Sequence, residues 1–295
     1  MILVTGASGF VGRHMLNRLA ADGRPLRAMI RERSTAHIPG GVEVVGSDLT
    51  RPDSLPEAVR GIQVIVHCAA IAADRKETLT ATYDAVNRLG TEHLVAAARE
   101  AGVRRLVVMS GLGTFEAPPG TYVATRWGLE SAVRSSGIPY VILQPSVLFG
   151  ERAPFVSALA RLARAPLTPL LGGDVRFQPL WIRDVVRCLV QAIDDDALTG
   201  RSYPLGGAEQ LTMREIMQTI GKGLGKSVLL VPLPMWAARV QANLMSTLLP
   251  HPPLTPATLE LFGFENVTDL DSVERHFRFT PRGFREYVEE NGLEV

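Results

Sequence analysis

Cysteine and lysine are scarce: this chain of 295 residues contains two cysteines and three lysines. Arginine therefore supplies nearly all of the positive charge. Both cysteines, Cys68 and Cys188, lie in apolar runs, which favours buried thiols in a reducing compartment and predicts a cytoplasmic location. No uninterrupted apolar stretch reaches the roughly 18 residues that a membrane-spanning helix needs. The 31 basic and 30 acidic residues nearly cancel, so no overall charge attracts nucleic acid or an anionic membrane.

Several common catalytic arrangements are also missing. The six histidines do not pair with cysteine or carboxylate residues at the spacing of metal ligands, and no Gly-x-Ser-x-Gly elbow is present. His67 lies inside a short apolar run, so we interpret it as a hydrogen-bonded core residue. The sequence therefore predicts no metal site and gives no support to serine-hydrolase chemistry.

Strand-like and helix-like segments alternate from the N-terminus to about residue 145. The strand-like segments are continuous apolar runs, which is typical of parallel strands whose two faces are both covered by helices. This alternation predicts an α/β fold with a doubly wound parallel sheet and places a first domain at residues 1–150. The expected strands are at residues 1–4, 25–30, 42–45, 64–69, 106–109 and 140–143, and the expected helices at residues 11–21, 52–59, 82–100 and 122–135.

The remaining residues, 151–295, differ in composition and in pattern: proline recurs throughout them, and strand-like and helix-like segments no longer alternate. We predict a small, irregular C-terminal substrate lobe, some segments of which return to the first domain. Its expected helices lie at about residues 155–164, 184–193 and 212–223. Four apolar residues in or next to the lobe are expected to line a pocket for an apolar substrate: Phe149, Phe155, Leu180 and Trp181.

The segment 236–249 is apolar with a helical spacing, since Trp236, Val240 and Leu244 recur every four residues. We favour the interpretation in which this helix packs on the lobe or lines the substrate pocket. The alternative is an interfacial helix that docks on a membrane surface or on a protein partner. Arg239 is the single charged residue of the segment, which is little for attraction to anionic lipids.

The most informative segment is residues 5–12, with the sequence TGASGFVG, which follows the first expected strand and opens the first expected helix. In that position Gly6 permits a tight turn, Gly9 lets a diphosphate approach the backbone, and Gly12 lets the helix pack closely on the sheet. The start of the helix adds unpaired N–H groups and the positive end of its dipole. This arrangement predicts a dinucleotide-binding turn.

The residue at the end of the second strand distinguishes between two dinucleotides. An acidic residue there would bind the ribose 2′-hydroxyl of NAD(H) and repel the 2′-phosphate of NADP(H). This chain has Arg31 at about that position, and its guanidinium can bind a phosphate with paired hydrogen bonds. Arg13 is a candidate for the same pocket, whereas Glu32 partly neutralises Arg31 and Arg33. NADP(H) is therefore favoured, with NAD(H) as the alternative.

The glycine segment and further stretches of the chain resemble the extended and atypical short-chain dehydrogenase/reductase superfamily, which has a Rossmann fold, up to about residue 220. The stretch 176–185 is most similar to the branch that contains the nucleotide-binding accessory subunit of respiratory complex I. The other matching stretches are an adenine-contact turn at 46–49, a fourth-strand signature at 67–70, a helix at 86–91 and the entry to the substrate lobe at 144–150, in which Gln144 replaces the usual arginine. The motif and the resemblance together imply cofactor contacts at Thr5, Gly6, Ser8, Gly9, Phe10, Val11, Gly12, Arg31, Asp48, Leu49, Ala69, Ala70, Asn87, Arg126 and Pro145.

The chain departs from the superfamily at its catalytic residues. That chemistry needs a tyrosine and a lysine four residues later on one helix face, together with a hydroxyl residue after the fifth strand. Tyr122 lies on the expected helix, but Arg126 stands where the lysine would be. Leu112 falls near the position of the usual serine, so Ser110 or Thr114 is the available hydroxyl. The resemblance thus implies Tyr122, Arg126 and Ser110 as candidate catalytic residues.

Two functions remain open. In the first, the chain is an NADP(H)-dependent oxidoreductase or epimerase-like enzyme that acts on a small, fairly apolar carbonyl or hydroxyl substrate with a modified Tyr122–Arg126 pair. In the second, it is a non-catalytic NADP(H)-binding module with a structural, assembly or redox-sensing role, because the usual lysine and serine are missing. The expected partner is a small-molecule substrate, no nucleic-acid partner is expected, and the chain is predicted to be a monomer or homodimer.

Overall fold

The computed structural model describes residues 1–31, 37–249, 252 and 254–293, and the chain divides into two compact units. Every described helix is too short or too polar to cross a bilayer. The first unit contains Met1–Ala72, Glu77–Gln144 and Val186–Tyr203, and the second contains Ala73–Lys76, Pro145–Val185 and Pro204–Val295.

Strands and helices alternate through the first half of the chain, as the apolar pattern predicts. The strands are β1 (Ile2–Thr5), β2 (Leu26–Ile30), β3 (Glu43–Gly46), β4 (Val64–His67), β5 (Arg105–Met109), β6 (Tyr140–Pro145), β7 (Leu148–Phe149), β8 (Thr168–Leu171), β9 (Arg176–Phe177), β10 (Leu180–Trp181), β11 (Arg201–Leu205), β12 (Leu211–Thr212) and β13 (Leu230–Leu233). The helices are α1 (Phe10–Ala21), α2 (Leu55–Val59), α3 (Gly90–Glu100), α4 (Tyr122–Arg134), α5 (Pro154–Ala163), α6 (Ile182–Asp194), α7 (Met213–Gly223), α8 (Met235–Leu248), α9 (Pro256–Leu261), α10 (Ser272–Phe277) and α11 (Phe284–Asn291).

A seven-stranded sheet runs through the first unit, with the strand order β11-β6-β5-β4-β1-β2-β3. The pairings from β3 through to β6 are all parallel. β1 is buried along its whole length, whereas β3 is mostly exposed because it is an edge strand. The strand order reverses direction between β1 and β4, and such a reversal opens a crevice at the carboxyl ends of the strands. The predicted doubly wound α/β fold is confirmed.

One buried apolar cluster joins this sheet to its helices. Leu3, Ile65 and Leu106 contribute from the strands, Leu94 from α3 and Leu129 from α4. Burying each of these side chains contributes about 1.5–3 kcal/mol. The cluster therefore fixes α3 and α4 against the sheet and determines where the polar residues of these helices lie.

A π-helical turn at Asp84–Leu89 precedes α3, where the sequence predicts one uninterrupted helix from residue 82. A π-helical turn inserts an extra residue into the helix and changes the direction of the side chains around it, often at functional sites. Asn87 lies within this turn and is buried. Helical periodicity does not reveal such an insertion, so the expected helix is correct in extent and incomplete in detail.

An aromatic cluster fills part of the second unit. Phe149 packs against Phe284 and Tyr287, with ring centroids 5.2 Å apart in both pairs. Phe149 and Leu180 are both fully buried. Both side chains therefore belong to the packed interior of the second unit, and their expected role in lining a substrate pocket stays a prediction.

Helix α8 belongs to the second unit, and its orientation differs from the favoured prediction. Its buried side chains are Ala238 and Ala242, whereas Trp236, Val240 and Leu244 are exposed. The helix does pack on the second unit, as favoured, but through these two alanines, and the three large side chains lie on the opposite, exposed face. The two alanines also recur at a spacing of four, and their small side chains let the helix lie close to the protein.

Candidate functional site

The residues singled out in the sequence come together at the carboxyl edge of the sheet. The parallel register aligns Thr5 with His67 and Met109 with Leu143, so the segments that follow these strands leave the sheet at the same level. Ligands of doubly wound sheets bind beyond this edge. The candidate residues at or just beyond it are Gly6, Arg31, Asp48, Ala69, Ser110 and Gln144.

Glycine is present at the three motif positions for different physical reasons. Gly6 has a φ of +63°, and a Cβ atom there would lie 2.6 Å from the carbonyl oxygen of Cys68. A Cβ atom at Gly12 would lie 2.2 Å from the carbonyl oxygen of Gly6. A Cβ atom at Gly9 would meet only that same oxygen, at 3.1 Å, and would otherwise point into open space. Gly6 and Gly12 are therefore required by the fold, while Gly9 leaves room for a ligand.

The N-terminus of α1 is suited to an anion. Gly9 is the N-cap residue, no side chain caps the helix, and its first turn contains no acidic residue. The N–H groups of Phe10, Val11 and Gly12 lack partners within the helix, as in the first turn of any α-helix. Ser8 is exposed beside them. These donors and the helix dipole fit the diphosphate of a dinucleotide.

Two arginines near this turn have no ion-pair partner in the described part of the chain. Arg31 is exposed directly after β2, and Arg13 lies on the first turn of α1. By contrast, Arg27 of β2 donates to Glu43 across 2.9 Å. Glu32 and Arg33 lie outside the described residues. Among the described residues, Arg31 and Arg13 are thus two cations close to the glycine turn that could bind a phosphate.

The turn after β3 is held in one shape by its own side chains. Oδ1 of Asp48 accepts hydrogen bonds from the backbone N–H of Thr50 at 2.9 Å and from its hydroxyl at 2.8 Å. Leu49 is buried, and a Cβ atom at Gly90 would lie 2.8 Å from the Cβ atom of Leu49. The close approach of α3 therefore fixes the segment in which an adenine contact is expected.

A buried chain of hydrogen bonds joins β1 to β4 and to the start of α3. The hydroxyl of Thr91 donates to the carbonyl oxygen of Asn87 at 2.6 Å, so it can only accept from Nε2 of His67, 3.0 Å away. His67 thus carries its proton on Nε2, and Nδ1 accepts from the hydroxyl of Thr5 at 2.7 Å. The oxygen of Thr5 also lies 3.3 Å from the backbone nitrogen of Ala69, from which it accepts a hydrogen bond. Burial lowers the pKa of His67 to about 4, so the ring is neutral, in agreement with a structural role.

Asn87 holds the segment after β4 in place. Its Oδ1 atom accepts from the backbone N–H of Ile71 at 2.8 Å, and its Nδ2 atom donates to the carbonyl oxygen of Ile71 at 3.1 Å. Nδ2 also lies 3.4 Å from Oγ1 of Thr125 on α4. One buried amide thereby connects the segment after β4 with the helix that carries Tyr122.

The remaining expected cofactor contacts lie after β4 and at the end of β6. Ala69 is half-buried and Ala70 is exposed, while Pro145 is buried as the last residue of β6. Burial raises the pKa of the neighbouring Cys68 thiol to about 12. This cysteine therefore stays protonated and is a poor nucleophile.

Arg126 lies against both Tyr122 and the segment after β5. Its guanidinium carbon is 6.0 Å from the ring centroid of Tyr122, and one terminal nitrogen donates to the carbonyl oxygen of Leu112 at 2.9 Å. A Cβ atom at Gly111 would lie 2.5 Å from this guanidinium, so the close fit requires glycine. Burial lowers the pKa of Arg126, and its electrostatic interactions with the acidic groups of Tyr122 and Glu130 oppose that shift. The ring of Tyr122 also packs edge-on against Tyr83, with centroids 5.1 Å apart.

A buried carboxylate lies one helical turn further along α4, and the sequence analysis did not predict its role. Glu130 is fully buried and accepts from the hydroxyl of Ser110 at 2.5 Å and from the side-chain amide of Gln144 at 2.7 Å. Arg134 donates to its second oxygen. A signal was present in the sequence, since an ionisable residue at 130 interrupts the buried face formed by Val123, Leu129 and Val133.

Comparisons with known proteins identify proteins to which this chain is similar. A family model described as NAD(P)H-binding matches residues 6–161. Ceramide reductase of Caulobacter vibrioides is 30% identical over 238 residues, which are 79% of this chain and 74% of that protein. A (4-alkanoyl-5-oxo-2,5-dihydrofuran-3-yl)methyl phosphate reductase of Streptomyces griseus is 31% identical over 241 residues, or 81% of this chain and 79% of that protein.

A third relative belongs to a respiratory complex. Mitochondrial NADH dehydrogenase (ubiquinone) 1 alpha subcomplex subunit 9 of Arabidopsis thaliana is 25% identical over 281 residues, which are 90% of this chain and 68% of that protein. The chain is therefore similar to a protein of the branch that the sequence analysis singled out.

Solved structures share the fold. A nucleoside-diphosphate-sugar epimerase of Staphylococcus aureus has a TM-score of 0.78 at 18% identity, covering 98% of this chain and 99% of that one. An NADPH-dependent quinone oxidoreductase of Escherichia coli has a TM-score of 0.75 at 17% identity, with the same two coverages. These structures show the fold alone, whereas the family model, which matches more than half of the chain, shows that the chain belongs to the NAD(P)H-binding family.

Proposed function

We propose that this protein is an NADP(H)-dependent reductase that converts a small, fairly apolar carbonyl compound into the corresponding alcohol. The observation that carries the proposal is the buried guanidinium of Arg126 beside the ring of Tyr122. The names of two relatives support it, since both are reductases and one of them acts on ceramide, an apolar lipid.

Different residues at the carboxyl edge of the sheet suit different parts of the cofactor. The free N–H groups at the start of α1 and the open space at Gly9 fit the diphosphate. Arg31, with Arg13, would bind the 2′-phosphate that distinguishes NADP(H) from NAD(H). Asp48 and Leu49 would contact the adenine end. The contacts toward the nicotinamide end would come from Ala69, Ala70, Asn87, Arg126 and Pro145.

Tyr122 would supply the proton. The bound cofactor provides the hydride, and the phenol of Tyr122 would donate its hydrogen to the substrate oxygen as negative charge develops there. The fixed charge of Arg126 favours the phenolate that this transfer leaves behind. Arg126 itself keeps its proton, so it would act through charge and position and not as a proton relay.

Ser110 would have a positioning role in this mechanism. Its hydroxyl donates to Oε1 of Glu130 across 2.5 Å, so this hydrogen is not directed at a substrate oxygen. Glu130 is on the same helix as Tyr122 and Arg126, four residues after Arg126. We therefore propose that Ser110 and Gln144 hold the buried carboxylate, and that this contact fixes the segment after β5 against α4.

The alternative is a non-catalytic NADP(H)-binding module with a structural, assembly or redox-sensing role. Two observations favour it: the usual serine position has the apolar Leu112, whose backbone binds Arg126, and the nearby Ser110 hydroxyl is occupied by Glu130. In that case Tyr122 and Arg126 would only help to hold the cofactor.

Further parts of the proposal concern the whole chain. We propose that residues 1–150 bind the cofactor and that residues 151–295 contribute the substrate lobe. Cys68 and Cys188 take part in no disulfide in the described part of the chain, which supports a reducing, cytoplasmic environment. A monomer and a homodimer both stay compatible with the proposed chemistry.

Turnover and binding measured together separate the two functions. NADPH affinity is measured by calorimetry, and NADPH oxidation is followed with a panel of medium-chain aldehydes, aryl ketones and quinones. The reductase predicts oxidation that falls about 100-fold or more in Tyr122→Phe, since general acid catalysis contributes roughly 10²–10⁴-fold. The matched control is Tyr140→Phe, which removes the same hydroxyl at the amino end of β6 and should leave the rate unchanged.

Two substitutions of Arg126 test its role. Arg126→Lys keeps the positive charge and restores the usual residue type of the superfamily, so we expect it to retain most of the activity. Arg126→Met has a similar length without charge, so we expect it to lose as much as Tyr122→Phe. NADPH binding without turnover, unchanged in Tyr122→Phe, would support the non-catalytic module.

A further inference from the structure

Five large apolar side chains form an exposed stripe along α8 and its end, which we call the α8 surface. It consists of Trp236, Val240, Leu244, Leu248 and Leu249, whose exposed fractions are 72%, 63%, 58%, 69% and 40%. The first four recur every four residues and therefore lie on one face of the helix. Contiguous exposed apolar patches are unfavourable in water and mark interaction sites.

The opposite face of α8 holds the helix on the second unit. Ala238 and Ala242 are fully buried and pack with Leu259, while Leu171 and Leu233 complete the contact. Because this inner face is packed, the outward direction of the large side chains is determined by the fold. The α8 surface is therefore a permanent feature of the folded unit.

The chain segment that contains α8 carries charges of one sign. No aspartate or glutamate occurs from residue 216 to residue 259, although the chain contains 30 acidic residues. The cations in the same span are Lys222, Lys226 and Arg239. The third lysine of the chain, Lys76, donates to the carbonyl oxygen of Leu249 at 3.2 Å, at the C-terminal end of α8. Two of the three lysines thus lie in this acid-free span, on α7 and in the turn after it, and the third contacts the end of α8.

We propose that the α8 surface docks the protein on a lipid bilayer that contains anionic lipids. A bilayer of this kind attracts lysine and arginine and repels carboxylates, which matches the charges of residues 216–259. A protein partner would not require that acidic residues be absent over so long a span. Trp236, the most exposed side chain of the surface, has an apolar ring and one N–H donor, a combination that favours the membrane interface.

The length of α8 determines how it would lie. Its 14 residues give a helix of about 21 Å, which is too short to span the hydrocarbon core of about 30 Å. The helix would therefore lie in the plane of the interface, with Trp236 and the leucines inserted and Ala238 and Ala242 still packed on the protein. Membrane docking of this kind would bring the protein to apolar substrates, but it does not depend on the proposed reductase activity.

Vesicle flotation of the full-length protein tests the proposal. The vesicles are phosphatidylcholine alone or a three-to-one mixture of phosphatidylcholine and phosphatidylglycerol. We expect the wild type to float with the anionic vesicles, less at high salt, and Leu244→Glu to bind them about tenfold or more weakly. The matched control is Leu270→Glu, because Leu270 is 57% exposed in the same unit and lies outside the α8 surface; it should bind as the wild type does.

NADPH titration of the same variants keeps this test separate from the proposed function. Leu244→Glu should bind NADPH as the wild type does, which also shows that it is folded. Wild-type protein that binds NADPH but does not float with anionic vesicles would overturn the docking proposal alone. Equal flotation of Leu244→Glu and the wild type would also overturn it. So would sedimentation of a wild-type dimer that Leu244→Glu dissociates, because the α8 surface would then be covered by a second copy of the chain.

Discussion

Ser110 donates its hydroxyl hydrogen to Glu130 across 2.5 Å, and the carboxylate that receives it is fully buried. Gln144 and Arg134 supply further hydrogen bonds to the same group. A buried carboxylate is stable only when its oxygens are paired and hydrogen-bonded. The hydroxyl that could have replaced the usual serine of the superfamily is therefore engaged in stabilising α4 and the segment after β5.

Ser110→Ala should consequently affect stability more than cofactor binding. Removing one donor from a buried charge costs about 1–3 kcal/mol of unfolding free energy, whereas the glycine turn is untouched. Urea unfolding and NADPH titration measure the two effects. Ser135→Ala, which removes an exposed hydroxyl at the end of α4, is the control and should change stability by less than about 0.5 kcal/mol. A Ser110→Ala protein of wild-type stability would contradict the positioning role.

Gly9→Ala and Gly12→Ala should separate binding from folding. Gly9 has a φ of −78°, which alanine adopts freely, so the stability should change by less than about 1 kcal/mol. The added methyl group enters the space where the diphosphate is expected, and NADPH affinity should fall about tenfold or more. Gly12→Ala places a Cβ atom 2.2 Å from a carbonyl oxygen and should cost about 3 kcal/mol or more. Thermal unfolding and calorimetry check both, and a Gly9→Ala protein with unchanged affinity would exclude this turn as the phosphate site.

Arg31→Asp should change cofactor preference. The substitution replaces a phosphate-binding cation with a carboxylate that repels the 2′-phosphate, so NADPH affinity should fall about tenfold or more while NADH affinity changes little. Arg104→Asp makes the same charge change just before β5, at the amino end of the sheet, and should affect neither. Parallel titrations with both dinucleotides provide the comparison. Equal losses for NADPH and NADH in Arg31→Asp would remove the assignment of Arg31 to the 2′-phosphate.

His67 should make the stability of the protein depend on pH. Its pKa falls from 6.5 to about 4 on burial, so between these values the unfolded chain binds a proton that the folded chain does not. The free energy of unfolding therefore has its full value with respect to His67 above pH 6.5 and decreases as the pH is lowered. The decrease that is due to His67 is about 2 kcal/mol from pH 7 to pH 5. The His67→Gln protein lacks this titrating group. The difference in free energy of unfolding between the wild type and this variant should therefore be smaller at pH 5 than at pH 7, by about 2 kcal/mol. Urea unfolding at the two pH values measures this difference, and a constant difference would contradict the neutral, buried ring.

The sequence allowed the fold and the position of the glycine turn to be predicted because both depend on local signals. Continuous apolar runs indicate parallel strands, and the spacing of Gly6, Gly9 and Gly12 is typical of a strand–helix junction in this fold. The contacts made by Glu130 could not be predicted, because Ser110 and Gln144 reach it from two different strand ends. Only the tertiary arrangement brings these three side chains together.

The orientation of α8 was predicted incorrectly for a physical reason. Bulky residues and alanines both recur every four residues in this helix, and a spacing pattern alone favours burial of the larger set. The fold instead buries Ala238 and Ala242, which permit a close approach to Leu259. Local periodicity shows that a helix has two faces, but the shape of the surface on which it packs decides which face is inside.

The most direct test of the reductase assignment is hydride transfer traced with NADPH that carries deuterium at the reactive carbon of the nicotinamide. The wild type and Tyr122→Phe are incubated with the labelled cofactor and the aldehyde and ketone panel, and the alcohols are examined by mass spectrometry. The account predicts an alcohol that carries one deuterium with the wild type and at most a trace with Tyr122→Phe. Wild-type protein that binds NADPH tightly and yields no deuterated alcohol from any member of the panel would contradict it.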